Sequence, residues 1–99
     1  MKKNIAIALN AGTPTIRNGI TDYFRTNSLV FWHWIDDFWI VEVDLNVTPK
    51  SLHAELIGSG SLTPSNTILV YEFNGPIKYW GRGAKEGWDW LSRIGKSSN

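Results

Sequence analysis

Two stretches of this chain gather residue types that can do chemistry. The first is Phe31-Trp32-His33-Trp34-Ile35-Asp36-Asp37-Phe38-Trp39, which sets an imidazole and two carboxylates among three tryptophans. A histidine beside carboxylates can ligate a metal or move protons. Asp-Asp between two apolar runs is also ordinary turn chemistry, so the stretch reads first as a β-hairpin with His33 in a packing role. The second is Lys78-Tyr79-Trp80-Gly81-Arg82-Gly83-Ala84-Lys85, which combines aromatics, glycines and cations. Aromatic faces stack on bases, Arg and Lys meet phosphates, and a helix beginning near Ala84 would add its N-terminal amides. The competing role for Tyr79 and Trp80 is to pin the tail to the body. Asn10 and Thr13, after the first strand, are candidate polar contacts. The expected ligand-binding set is Trp32, Trp34, Tyr79, Trp80, Arg82, Lys85, Asn10 and Thr13.

Other reactive patterns are missing. Gly81-Arg82-Gly83 is too short for a phosphate-cradling loop, and no serine sits in a nucleophile elbow. Glu42, Asp44, Glu55, Glu72, Glu86 and Asp89 show no metal-ligand spacing, and His53 reads as a solvent-facing helix residue. The expectation is a protein that is not an enzyme, with no catalytic residues, metal ligands or cofactor.

Composition narrows the class. Ninety-nine residues, 42% hydrophobic, suit one domain over 1–99 with a single core and argue against disorder. Ten Lys and Arg against nine Asp and Glu give a net charge of +1, so attraction to nucleic acid or an anionic membrane would have to come from a local patch. There are no cysteines, which removes disulfides, thiol catalysis and cysteine zinc sites. After the basic Met1-Lys2-Lys3-Asn4, the apolar run spans only Ile5 to Leu9, short for a signal peptide and suited to a strand. No stretch reaches the ~20 apolar residues of a membrane helix. The expected location is the cytoplasm, with no membrane contact. Six Trp are too many for one small core to hide completely, so some should line an interface or pocket.

The elements that would position these residues can be read along the chain. Ile5-Ala6-Ile7-Ala8-Leu9 is a strand between two buried faces. Thr13-Pro14 starts a helix carrying Ile16, Ile20, Tyr23 and Phe24 on one stripe, stopped by Thr26-Asn27-Ser28. Leu29 to Trp34 and Phe38 to Val43 make the hairpin around Asp36-Asp37. On the return strand Trp39, Val41 and Val43 share one face, and Phe38, Ile40 and Glu42 the other. Thr48-Pro49 starts a second helix with Leu52 and Leu56, ended by Gly58-Ser59-Gly60-Ser61. Thr67 to Phe73 is the fourth strand, with Ile68 and Val70 facing one way and Leu69, Tyr71 and Phe73 the other. Asn74-Gly75-Pro76 turns the chain into a tail with a helix from about Ala84 to Ile94. There Trp88 and Leu91 can dock on the body, Trp90 points elsewhere, and Gly95 to Asn99 frays.

The order β-α-β-β-α-β predicts an α+β, ferredoxin-like sandwich with a C-terminal helical extension. Right-handed crossovers place the first and third strands centrally and both helices on one face. The other face carries apolar residues and wants a cover. The extension, 75–99, would pack on it or on a second subunit, and a homodimer is expected.

At this point the chain resembles the small SinR-like proteins, relatives of the ferredoxin-like small subunit of the CRISPR adaptation complex and of VapD-type ribonucleases. The similarity rests on three segments. They are Ile5 to Pro14, the hairpin Trp32-His33-Trp34 with Phe38-Trp39-Ile40-Val41, and Gly87-Trp88-Asp89-Trp90-Leu91. The resemblance implies the ferredoxin-like fold and the dimer. Nuclease relatives carry a metal-holding Asp at the end of the first strand. Here that place falls on Ala8, Leu9 or Asn10, of which only Asn could ligate, and weakly. The resemblance therefore argues against metal-dependent phosphodiester cleavage.

The leading expectation is a non-catalytic homodimeric binding protein that holds or sequesters a nucleotide-type ligand or short nucleic acid by aromatic stacking and Arg/Lys contacts. The first alternative is a protein-interaction module: an antitoxin, inhibitor or assembly subunit. The second is a ribonuclease related to the VapD-type proteins.

Overall fold

The two long helices begin where Thr-Pro stands. In the computed structural model, which describes residues 2–73, 77–83, 85–93 and 95–97, α1 (Pro14–Thr26) follows the cap Thr13, whose Oγ1 accepts from the Ile16 amide at 3.3 Å. Helix α2 (Pro49–Gly58) opens on a reciprocal capping box. The Ser51 amide donates to Thr48 Oγ1 at 3.0 Å and the Thr48 amide to Ser51 Oγ at 2.9 Å. Proline follows both caps, where its missing N–H costs nothing. The strands are β1 (Lys2–Leu9), β2 (Phe31–Ile35), β3 (Phe38–Asp44) and β4 (Ile68–Phe73).

These strands form one antiparallel sheet in the order β2-β3-β1-β4, with β1 and β3 central as expected. Alternation along β1 explains its two layers. Ile5, Ile7 and Leu9 face the helices and join Trp39, Val41, Val43, Ile20, Phe24, Leu52, Leu56 and Leu62 in the main core. Ala6 faces the other way, into a second cluster with Trp32, Ile40 and Leu91. Both long helices thus cover one face, and the molecule is a small α+β domain.

The tail departs from expectation. It runs β5 (Ile77–Tyr79), α3 (Lys85–Ser92) and β6 (Gly95–Ser97), with β5 and β6 paired in parallel as a separate ladder. The frayed end expected over Gly95 to Asn99 is therefore in part a strand. Three-residue strands carry too little periodicity to read. Trp88 and Leu91 dock as expected, but so does Trp90, which is half-buried against the same cluster. The turn expected at Asn74-Gly75-Pro76 lies outside the described residues. No helix among them is long and apolar enough to cross a membrane.

Candidate functional site

The tail-side face of the sheet is where the tryptophans meet. Trp32, only 3% exposed, is sealed under α3, and its indole Nε1 donates to the Gly87 carbonyl at 2.8 Å. Its ring lies edge-on to Phe38 at 6.1 Å and tilted against Trp88 at 6.2 Å. The glycines of the tail are seats for indoles. A methyl group at Gly81 would stand 2.8 Å from Trp88 Cζ2, at Gly83 3.1 Å from Trp88 Cζ3, and at Gly87 2.5 Å from Trp34 Cδ1. Any side chain there would push a ring aside.

The expected ligand-binding residues fall in different surroundings. Trp32 keeps no open face for stacking, because it anchors α3. Lys85 forms an ion pair with Asp89 one turn on, at 2.8 Å; that hydrogen bond, then the carboxylate's charge, raises the Lys85 pKa. Thr13 is committed to its cap. Exposed Asn10 anchors the end of β1 by donating its amide to the Thr67 carbonyl at 3.0 Å. Trp34, Trp80, Arg82 and Lys85 remain accessible; Trp34 is half exposed, Trp80 is 68% exposed and the Lys85 side chain 84%. The side chain of Tyr79 lies outside the described residues.

The hairpin's polar groups are satisfied internally. His33 stacks on Trp39 with centroids 4.5 Å apart and planes 14° from parallel. Its Nε2 lies 2.8 Å from the Asp36 carbonyl, which can only accept, so the proton sits on Nε2. Thr21 Oγ1 accepts from Trp39 Nε1 at 3.2 Å and lies 3.5 Å from His33 Nδ1. Asp36 and Asp37 make the turn, as expected. Asp37 also accepts from Arg17 Nε at 2.9 Å and from the Gly12 amide at 3.3 Å. The Arg17 hydrogen bond first, then the Gly12 amide and the Arg17 charge, hold its carboxyl below the usual carboxylate range. These residues tie the hairpin to the start of α1. Among the described residues no three His, Asp or Glu side chains gather to hold a metal ion.

The sequence pattern marks the face away from the helices as apolar and in want of a cover, and the strand register shows which residues line up on it. Ile35 pairs with Phe38, Phe38 with Ala8, and Ala8 with Leu69, each directly opposite the next across the four strands. This row sits on the tail-side face: Phe38 packs at the border of the α3 cluster, and Ile35 and Leu69 stand out at the two ends. Ile35 is 55% and Leu69 60% exposed, with Phe38 and Ala8 half-buried between them. Half-exposed Trp34 flanks one end and exposed Tyr71 the other. A shallow cavity of about 240 Å³, lined by Ala8, Asn10, Thr67 and Leu69, adjoins the Leu69 end. The signal was present in the sequence: Leu69, Tyr71 and Phe73 alternate with Ile68 and Val70, and only one of those faces can meet the helices.

Compared with protein-family models, curated proteins and solved structures, the chain matches none.

Proposed function

We propose that this chain is a non-catalytic, homodimeric protein-interaction module of ferredoxin-like architecture, related to the SinR-like proteins, and that it makes contact at the Leu69 end of the bare row on its sheet. The observation that carries this is the row Ile35–Phe38–Ala8–Leu69, continuous across every strand and exposed at both of its ends. Contiguous exposed apolar surface of this kind marks a partner site. The strand order β2-β3-β1-β4, with both long helices on one face, supports the ferredoxin-like reading. Burial of Trp32 under α3, and the use of the tail glycines to seat indoles, weigh against the nucleotide-stacking reading, since they take away one of its stacking platforms.

One observation favours a nucleotide or nucleic-acid ligand as the second reading. Trp80 presents most of its ring to solvent two residues from exposed Arg82. That pair supplies one stacking platform and one cation, and stacking contributes roughly 1–3 kcal/mol per base. Native mass spectrometry of the freshly purified protein separates the readings. A dimer without small-molecule adducts is the expected result. A monomer carrying a nucleotide mass would overturn the proposal in favour of the second reading, with Trp80→Ala and Arg82→Ala then abolishing retention.

A further inference from the structure

The two outer edges of the four-stranded sheet are unequal. The register of β2 shifts between Trp32 and Ile35, and such a bulge spoils an edge as a template for further strands. Strand β4 reads Ile-Leu-Val-Tyr-Glu-Phe, with no Pro, Gly, Lys or bulge, and pairs with β1 in unbroken register. Among the described residues nothing pairs with its other side.

The ladder shows which groups that free side presents. The Leu9 amide donates to the Asp37 carbonyl, toward β3, and the Asn10 amide to the Thr67 carbonyl, toward β4. Backbone groups alternate along a strand, so odd-numbered residues of β1 bond toward β3 and even-numbered ones toward β4. Opposite the even residues stand Leu69, Tyr71 and Phe73, whose backbone groups therefore turn inward. Ile68, Val70 and Glu72 present their N–H and C=O groups outward.

We propose that β4 pairs antiparallel with β4 of a second copy across a twofold axis at Val70, joining the two sheets into one of eight strands. This rests on the homodimer reading above and names how the second copy is held. In this register Val70 meets its own counterpart and Ile68 meets the copy's Glu72, so every outward residue exchanges both of its backbone hydrogen bonds. On the tail side, Leu69 falls opposite the copy's Tyr71 in the closely spaced, non-hydrogen-bonded position. Both are exposed in the single chain, and each becomes the other's cover. On the helix side, the copy's Glu72 arrives opposite Ile68, beside a groove of about 580 Å³ between α2 and β4. The ionisable residues lining that groove, Lys50 and His53, are both basic. Glu72 uses Oε1 to accept from its own Lys3 at 3.1 Å, which leaves Oε2 for the groove. A second copy fits better than an unrelated strand because both rows complement themselves. Centring the axis on Tyr71 instead would set Leu69 against Phe73, which is already packed in the α3 cluster.

The chain has no cysteine, so single cysteines report this geometry without background. Residues facing each other in a hydrogen-bonded pair have Cα atoms about 5.5 Å apart, inside the disulfide range of about 4.4–6.8 Å. Under mild oxidation Val70→Cys should run as a covalent dimer that dithiothreitol returns to monomer, while Tyr71→Cys, diagonal across the axis, should stay monomeric on the same gel. Ile35→Lys, at the far end of the row, should leave association unchanged. In the unsubstituted protein the Ile68, Val70 and Glu72 amides should gain hydrogen-exchange protection as concentration rises, while Leu69 and Tyr71 stay protected throughout. Cross-linking of Tyr71→Cys alone would overturn the register. A dimer in which neither cysteine cross-links, or in which Ile35→Lys prevents association, would overturn edge pairing and leave the homodimer standing. A monomer at every concentration would overturn both.

Discussion

Replacing Gly87 by alanine sets two effects of opposite sign against each other. Gly87 lies in the first turn of α3, where alanine gains up to about 1 kcal/mol of helix propensity. The new methyl group, however, would stand 2.5, 2.7 and 2.8 Å from Cδ1, Cγ and Nε1 of Trp34. Three ring atoms at that range cannot be relieved by a small shift, so the indole must leave its seat. Trp34 is 50% exposed. Losing the covered half of a side chain that buries roughly 150–250 Å² when fully enclosed forfeits about 100 Å², or ~2.5 kcal/mol at ~25 cal/mol per Å². The loss wins, and Gly87→Ala should destabilise by about 1.5 kcal/mol, read as a lower urea midpoint and a melting temperature lower by about 4–8 °C per kcal/mol. In a Trp34→Ala background nothing opposes the methyl group, and the same substitution should stabilise by up to about 1 kcal/mol. Stabilisation by Gly87→Ala in the unaltered chain, or the same effect in both backgrounds, would refute the view that this glycine is kept for the tryptophan.

Trp32→Phe removes the donor to the Gly87 carbonyl and part of the second cluster's volume, and should cost about 2–3 kcal/mol in urea denaturation. Thr48→Ala breaks the capping box of α2 and should cost about 1 kcal/mol in the same assay. Asp37 has a folded pKa depressed by Arg17 and Gly12. Its contribution is therefore complete above the ordinary aspartate range, near pH 4, and is lost as pH falls through the lower folded value. Melting curves below pH 5 should show a steeper acid loss in the unaltered protein than in Asp37→Asn, and identical slopes would contradict that ion pair's role.

The sheet and helices were legible because each carries its own local signal. The Thr-Pro pairs mark both helix starts, and the alternation of Ile68 and Val70 with Leu69 and Tyr71 gives β4 two unlike faces. The candidate site was harder to read. Aromatic residues and glycines next to cations suggest ligand contact when read along the chain. In space, Gly81 and Gly83 are cut to fit the indole of Trp88 and Gly87 that of Trp34 on a distant strand, and Trp32 reaches the Gly87 carbonyl from 55 positions away, contacts set by tertiary packing. The apolar open face was legible, but the row along it was not, for a related reason. Ile35, Phe38, Ala8 and Leu69 come from four different strands, and only the register aligns them.

The proposed self-association runs through the Leu69 end of this row. Leu69 is 60% exposed, and covering that remainder contributes ~2 kcal/mol per copy, so a lysine on both copies should weaken a dimer at least a hundredfold. Sedimentation equilibrium over a wide concentration range tests this most directly, on the unaltered protein and on Leu69→Lys with an unchanged circular dichroism spectrum. The expected result is dimer for the first and monomer for the second. Monomer for both, or dimers of equal strength, would contradict it.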